Sequence, residues 1–252
     1  MRSREMKAMK RTIGTGALAL ALTAAAGGAR AQEEAHAGHG HEEPLLWTFM
    51  VERLEHRWQD GENAVDWDAQ GFVGGDDEKV WLKAEGGMEA GGAVEEAEVQ
   101  LLYSRMVSDF WDFQAGIRHD FRPRPQTTHA VAGFQGLAPF FLEVDAQAFL
   151  SEEGDVTAAL EVETDLLITQ KLVLQPRAEL HLALQDVEPL GVGAGLGEVA
   201  LGVRLRYEVV REFAPYVGVQ WDRKLGDTAR FARAEGEDAD AVTLLAGVRF
   251  WF

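Results

Sequence analysis

Residues 241–252 read AVTLLAGVRFWF. Val242, Leu244, Ala246, Val248, Phe250 and Phe252 fall on one face of a period-2 strand, and Thr243, Leu245, Gly247, Arg249 and Trp251 on the other. Two folds use such a strand. A soluble sandwich packs the apolar face inward. A membrane barrel turns it to lipid and lines a lumen with the polar face. One strand does not separate them, so the reading has to extend outward along the chain.

The alternation recurs. Val80, Leu82 and Ala84 oppose Trp81, Lys83 and Glu85; Trp111, Phe113, Ala115 and Ile117 oppose Asp112, Gln114, Gly116 and Arg118. Val199, Leu201, Val203, Leu205 and Tyr207 oppose Glu198, Arg204, Arg206 and Glu208. Strands are expected at 45–57, 64–73, 79–86, 94–106, 109–120, 127–136, 139–150, 155–166, 169–185, 197–210, 213–224 and 241–252. Segments of about ten residues suit tilted spanning strands, whereas sandwich strands typically have five or six. Trp47, Trp67, Trp111, Tyr207, Trp221 and Trp251 recur near segment ends, as girdle residues do at the two membrane interfaces.

Connection lengths alternate too. Even-numbered strands are followed by the tight VS, GLAP and VREFAP; odd ones by GGMEAGG, FRPRPQT, DVEPLGVGAGLG and LGDTARFARAEGEDADA. Short turns on one side and long loops on the other predict an outer-membrane, antiparallel up-and-down β-barrel of about twelve strands with both termini periplasmic. WQDGEN and SEEGD are short odd connections, so the pattern is imperfect. Alternation also breaks after Val51, where a continued period puts Arg53 and Glu55 on the lipid side. That stretch is therefore expected to rise above the membrane. A soluble periplasmic all-β domain is the alternative fold.

The N-terminus argues for export. MRSREMKAMKR is basic, TIGTGALALALTAAAGG carries no charge, and Ala29-Arg30-Ala31 offers a small-x-small cleavage site. Residues 1–31 are expected to be a secretory signal peptide cut before Gln32, the apolar run being shorter than the roughly 20 residues of a spanning helix. The whole chain holds 24 Lys+Arg and 42 Asp+Glu. Cleavage removes six basic residues (Arg2, Arg4, Lys7, Lys10, Arg11, Arg30) and Glu5, leaving 18 against 41, a net charge of −23. Nucleic acid is a poor partner for such a surface, and cations are a good one. The chain has no cysteine, so disulfides do not hold the fold. After the leader no apolar run approaches helical spanning length, so a membrane form must be a closed barrel.

Residues 32–44, QEEAHAGHGHEEP, are polar and without periodicity and are expected to form a flexible, His-containing tail. The barrel is assigned to residues 45–252. The serines of that region are Ser104, Ser108 and Ser151, none next to a histidine in sequence. An outer-membrane hydrolase or acyltransferase needs such a pairing, so no enzymatic activity is expected. A diffusion porin usually has more strands than this chain supplies.

Over the whole of residues 45–252 the sequence resembles the copper resistance protein B family. The likeness is carried in order by DWDAQGFVGGDDEKVWLKAEG (66–86), AEVQLLYSRMVSDFWDFQAGIRHDF (97–121), GFQGLAPFFLEVDAQAFL (133–150), LLITQKLVLQPRAEL (166–180), RLRYEVVREFAPYVGVQW (204–221) and GVRFWF (247–252). The resemblance implies an outer-membrane barrel that binds or translocates copper ions in copper resistance. Its implied partners are copper ions, outer-membrane lipid and periplasmic copper-resistance proteins. Composition and period alone stop at an acidic outer-membrane barrel, so a small pore without metal selectivity and a soluble periplasmic copper-binding protein stay open.

Family members commonly carry a long Met/His-rich segment between signal and barrel. Here it is reduced to His36, His39 and His41, with no methionine. Imidazole suits Cu(II), whereas thioether selects Cu(I), so these three histidines are the expected capture ligands for the oxidised ion. A chance His-containing linker is the bland reading. In the barrel, Met50 and Glu52 are expected on the lumen face of the first strand, and His181, beside Glu179, on that of the ninth. Packing or a hydrogen-bonded polar interior explains each singly. Met88 is expected in an extracellular loop and Met106 at a strand end. Lumen carboxylates Glu98, Glu143, Asp145, Glu161, Glu163 and Glu179 face Arg118, Arg177, Arg204, Arg206 and Arg249. They either plug the bore as ion pairs or leave an acidic path.

Overall fold

The computed structural model describes residues 45–59, 62–89, 92 and 94–252; the expected leader and His36, His39 and His41 lie outside them. The strands are β1 (Leu46–Gln59), β2 (Glu62–Gly74), β3 (Glu78–Glu89), β4 (Val94–Ser108), β5 (Trp111–Arg122), β6 (Thr127–Ala138) and β7 (Leu142–Ser151). They continue as β8 (Val156–Glu163), β9 (Leu166–Leu167), β10 (Leu172–Ala183), β11 (Gly195–Tyr207), β12 (Phe213–Lys224) and β13 (Asp240–Trp251), with helix α1 (Gly226–Glu235) before the last strand. β9 prolongs the line of β8, since both pair with β10. The wall is thus the expected twelve staves, antiparallel and joined in sequence order.

Closure is made by the stretch at the end of the chain. β13 pairs with β1 from Met50↔Trp251 to Trp58↔Leu244. Phe252 then exchanges backbone hydrogen bonds of 2.9 and 3.2 Å with Phe49. A closed ladder leaves no edge with unpaired amides, the condition for strands to cross a bilayer. No helix among the described residues is long and apolar enough to cross one.

The two faces of the wall decide what surrounds it. Ile117 and Leu244 point outward and are 54% and 60% exposed, while the inward Gln114 and Thr243 are 1% and 0% exposed. Apolar groups outside and polar groups inside invert the arrangement of a soluble domain. The outer surface is a lipid-facing belt. Trp47, Tyr207 and Phe213 flank it at the end carrying Leu46 and Phe252, here the terminal end, and Trp58, Phe121 and Trp221 at the opposite, loop end. Trp67 also faces outward but packs flat on its cross-strand partner Gly86, where any Cβ would lie 2.2 Å from the ring.

β1 corrects the expected register. Against β2, Val51 pairs with Ala69 and Arg53 with Asp68, so Glu52 is the extra residue of a β-bulge. The β13 ladder slips at the same place. A bulge puts two consecutive side chains on one face and reverses the phase beyond it. Glu52 and Arg53 therefore both enter the lumen, followed by Glu55 and Arg57, while Leu54 and Trp58 reach the lipid side, 42% and 45% exposed. The charge expected to lift the strand above the membrane turns inward instead.

Connections are less lopsided than the sequence suggests. β3 runs through Gly86, Gly87 and Met88, so Met88 pairs with Val65 and Val94 as a strand residue rather than a loop one. The long segment after β12 contains α1, whose buried residues are Thr228, Ala229 and Ala232. Thr228 Oγ1 accepts from the Gly193 amide at 2.9 Å, fixing the helix to the β10–β11 connection. Small residues on the packed face leave no apolar periodicity, which is why the helix is invisible in sequence.

Candidate metal passage in the lumen

The inward positions of the twelve staves build a lumen of paired charge. At its centre Arg204 Nε and Nη2 donate to Glu55 at 3.1 and 3.0 Å, and the Tyr216 hydroxyl donates to the same carboxylate at 3.0 Å. Arg204 and Glu55 are almost wholly buried. Beyond the bulge Arg53 binds Asp68 at 3.0 Å and approaches Glu179 on β10 at 3.6 Å. Arg177 holds Glu179 at 2.7 Å and pairs with Glu161. Lys83 reaches Asp145 on β7 at 2.7 Å.

The ends are charged as well. Near the loop end Arg118 pairs with Glu98 and, at 2.6 Å, with Asp120, and Arg57 bridges Asp66 at 2.9 Å and Asp222 at 3.4 Å. Towards the terminal end Arg206 pairs with Asp165, and Arg249 with Glu52 at 2.7 Å. Part of the bore is dry. Leu102, Val131 and Phe149 form a buried apolar cluster with Trp81 packed against it. Among the described residues cavities open in the terminal half. One of about 520 Å³ lies among Glu52, Lys83, Asp145, Glu161 and Arg177. Another, about 560 Å³, opens among Thr48, Met50, Arg206, Arg249 and Trp251.

Of the expected site residues, Met50 and Glu52 come together. Arg249 donates to the Met50 sulfur at 3.5 Å, and Glu52 also accepts from Gln70 at 3.2 Å. His181 stands apart, half-exposed two residues from the loop end of β10, with Nε2 3.9 Å from Glu179. Met106 lines the first cavity. Among the described residues no group of three or more His, Asp or Glu side chains is arranged to hold a metal ion. The sequence reading missed Arg53 and Glu55 because of the bulge. It placed Lys83 inside but offered no partner, since Asp145 is 62 residues away.

Residues 45–252 match the family model described as copper resistance protein B precursor. The chain belongs to the copper resistance protein B family. It is 42% identical over 216 residues to copper resistance protein B of Escherichia coli, covering 85% of this chain and 73% of that one. It is 43% identical over 220 residues to the copper resistance protein B homolog of Pseudomonas syringae pv. tomato, covering 86% and 74%. Among solved structures the NanC porin is similar in fold, with a TM-score of 0.54 at 14% identity, covering 80% of this chain and 98% of that one. The family and the closed, lipid-facing barrel together make this an outer-membrane copper-resistance barrel.

Proposed function

We propose that this family member captures Cu(II) on a flexible His-containing tail and lets copper ions pass through, or dwell in, an acidic lumen. In this reading residues 1–31 direct export and are cleaved, residues 32–44 form the tail, and the termini face the periplasm. Periplasmic copper-resistance proteins exchange the ion there. The barrel performs no covalent chemistry.

The observation that carries the reading is the excess of carboxylate inside. Glu143 stands opposite Glu163 and Asp145 opposite Glu161 across the β7–β8 ladder. Directly opposed like charges weaken a strand pair, and a cation between them relieves the repulsion. Carboxylate predominates, the thioethers of Met106 and Met50 lie in different cavities, and the imidazole of His181 stands near the loop end, a scattered donor set for weak coordination. That suits a conduit better than a store. The tail supplies the denser imidazole.

Copper counting tests this. Mature protein is loaded separately with Cu(I) and Cu(II), and bound ions are counted. Loss of most tight Cu(II) binding on replacing His36, His39 and His41 by alanine supports tail capture. Unchanged Cu(II) stoichiometry and affinity move the site to the barrel, with Met50, Glu52 and His181 next in line. No copper binding in either oxidation state leaves a small pore without metal selectivity.

A further inference from the structure

Lys83 is a buried ammonium in an unusual place. It lies on β3, is 6% exposed, and its Nζ is 2.7 Å from Asp145 Oδ2 on β7. Around the wall β3 and β7 are separated by β4, β5 and β6, so the contact is a chord through the bore and not a neighbour pair. The apolar cluster of Leu102, Val131 and Phe149 comes from the staves this chord spans, β4 to β7.

The chord ends in the carboxylate block. Asp145, Glu143, Glu161 and Glu163 all line the same cavity as Lys83. Arg177 takes Glu161. Among the described residues Glu143 and Glu163 form no ion pair, and Asp145 Oδ1 is buried without a hydrogen-bond partner. Desolvating a lysine costs several kcal/mol unless its partner is well placed. A purely mechanical brace beside a dry cluster is made more cheaply from apolar side chains. A flexible, compact ammonium has another property: it is a cation on a tether, able to leave and return.

We propose that Lys83 is the tethered counter-ion of the bore, holding against Asp145 the position that a passing cation takes and closing the path until it swings away. This rests on the cation-passage reading above and adds its gate. The device acts on any small cation, so it is open to electrical measurement without copper.

Full-length mature protein is reconstituted in planar bilayers under a potassium chloride gradient, with native folding checked by mobility of the unboiled protein on a denaturing gel. Replacing Lys83→Met should raise cation conductance by about tenfold, the change expected when one charge-assisted contact leaves a barrier. It should also shift the reversal potential towards cation selectivity. Lys83→Arg should stay near wild type, and Asp145→Asn should shift the reversal potential the opposite way. Because the chain has no cysteine, Lys83→Cys offers a single thiol. Its modification with an aminoethyl thiosulfonate restores a lysine-length cation and should return the low conductance, which keeps the test available if Lys83→Met does not fold. A conducting barrel in which Lys83→Met and unmodified Lys83→Cys match wild type overturns the gate and leaves passage standing. Equal gains for cations and anions with no shift in reversal potential reduce Lys83 to a brace and also overturn it. Absence of cation current in wild type and every variant overturns passage and gate together.

Discussion

The pair that anchors the centre of the lumen, Glu55 with Arg204, is bidentate, buried, and carries a third hydrogen bond from Tyr216. Breaking it from one side leaves an uncompensated guanidinium in a dry place, which costs about 3–5 kcal/mol. Glu55→Ala should therefore lower unfolding stability in lipid vesicles by that order. The double variant Glu55→Leu with Arg204→Leu should recover most of the loss, because paired burial is what an apolar swap replaces well. A single variant as stable as wild type in urea titration would show that water reaches the site. The pairing of residues across the bore was not legible in sequence. Alternation marked Arg204 as inward, but its partner lies 149 positions away and was assigned to the wrong face.

At the scale of the strand, the bulge at Glu52 is the feature with most consequence. It reverses the phase of the remainder of β1 and so delivers Arg53, Glu55 and Arg57 to the lumen. Two substitutions of opposite chemistry check that phase. Leu54→Arg places charge on the lipid face near the middle of β1 and should cost about 2–4 kcal/mol. Arg53→Leu, which would stabilise a lipid-facing position, should instead cost about 2 kcal/mol or more by leaving Asp68 unpaired. Equilibrium unfolding of both variants in the same vesicles decides the matter, and a stabilising Arg53→Leu would restore the register expected from unbroken alternation. Elsewhere the staves follow the sequence closely. β12 occupies the expected residues 213–224, and β13 begins one residue earlier and β5 two residues later than expected. β3 extends three residues further, past Gly86 and through Gly87, whose missing side chains hide the strand period.

For the whole molecule, twelve hydrogen-bonded staves with no open edge form a unit that opens only cooperatively. Unboiled protein should migrate ahead of the boiled form on a denaturing gel; identical mobility would count against a closed barrel. On the proposed reading of residues 32–44 as a tail, the same assay should be unmoved by replacing His36, His39 and His41. Cu(II) binding, measured on the same samples by equilibrium dialysis, should fall while Cu(I) binding changes less, since every methionine beyond residue 31 follows Pro44.

Side-chain period is a local property of an extended backbone, so the sequence alone determined the number of staves, the lipid-facing residues of most of them, the acid excess of the chain and its family likeness. Three things waited for the tertiary structure. The bulge at Glu52 depends on how β1 fits between β2 and β13, and a one-residue slip inverts every face beyond it. The helix α1 is held by Thr228 on Gly193 and not by a stripe of its own. The charges that meet across the bore, Lys83 with Asp145 and Arg53 with Glu179, are matched by the stagger and closure of the barrel. That geometry belongs to the closed sheet as a whole and to no single strand.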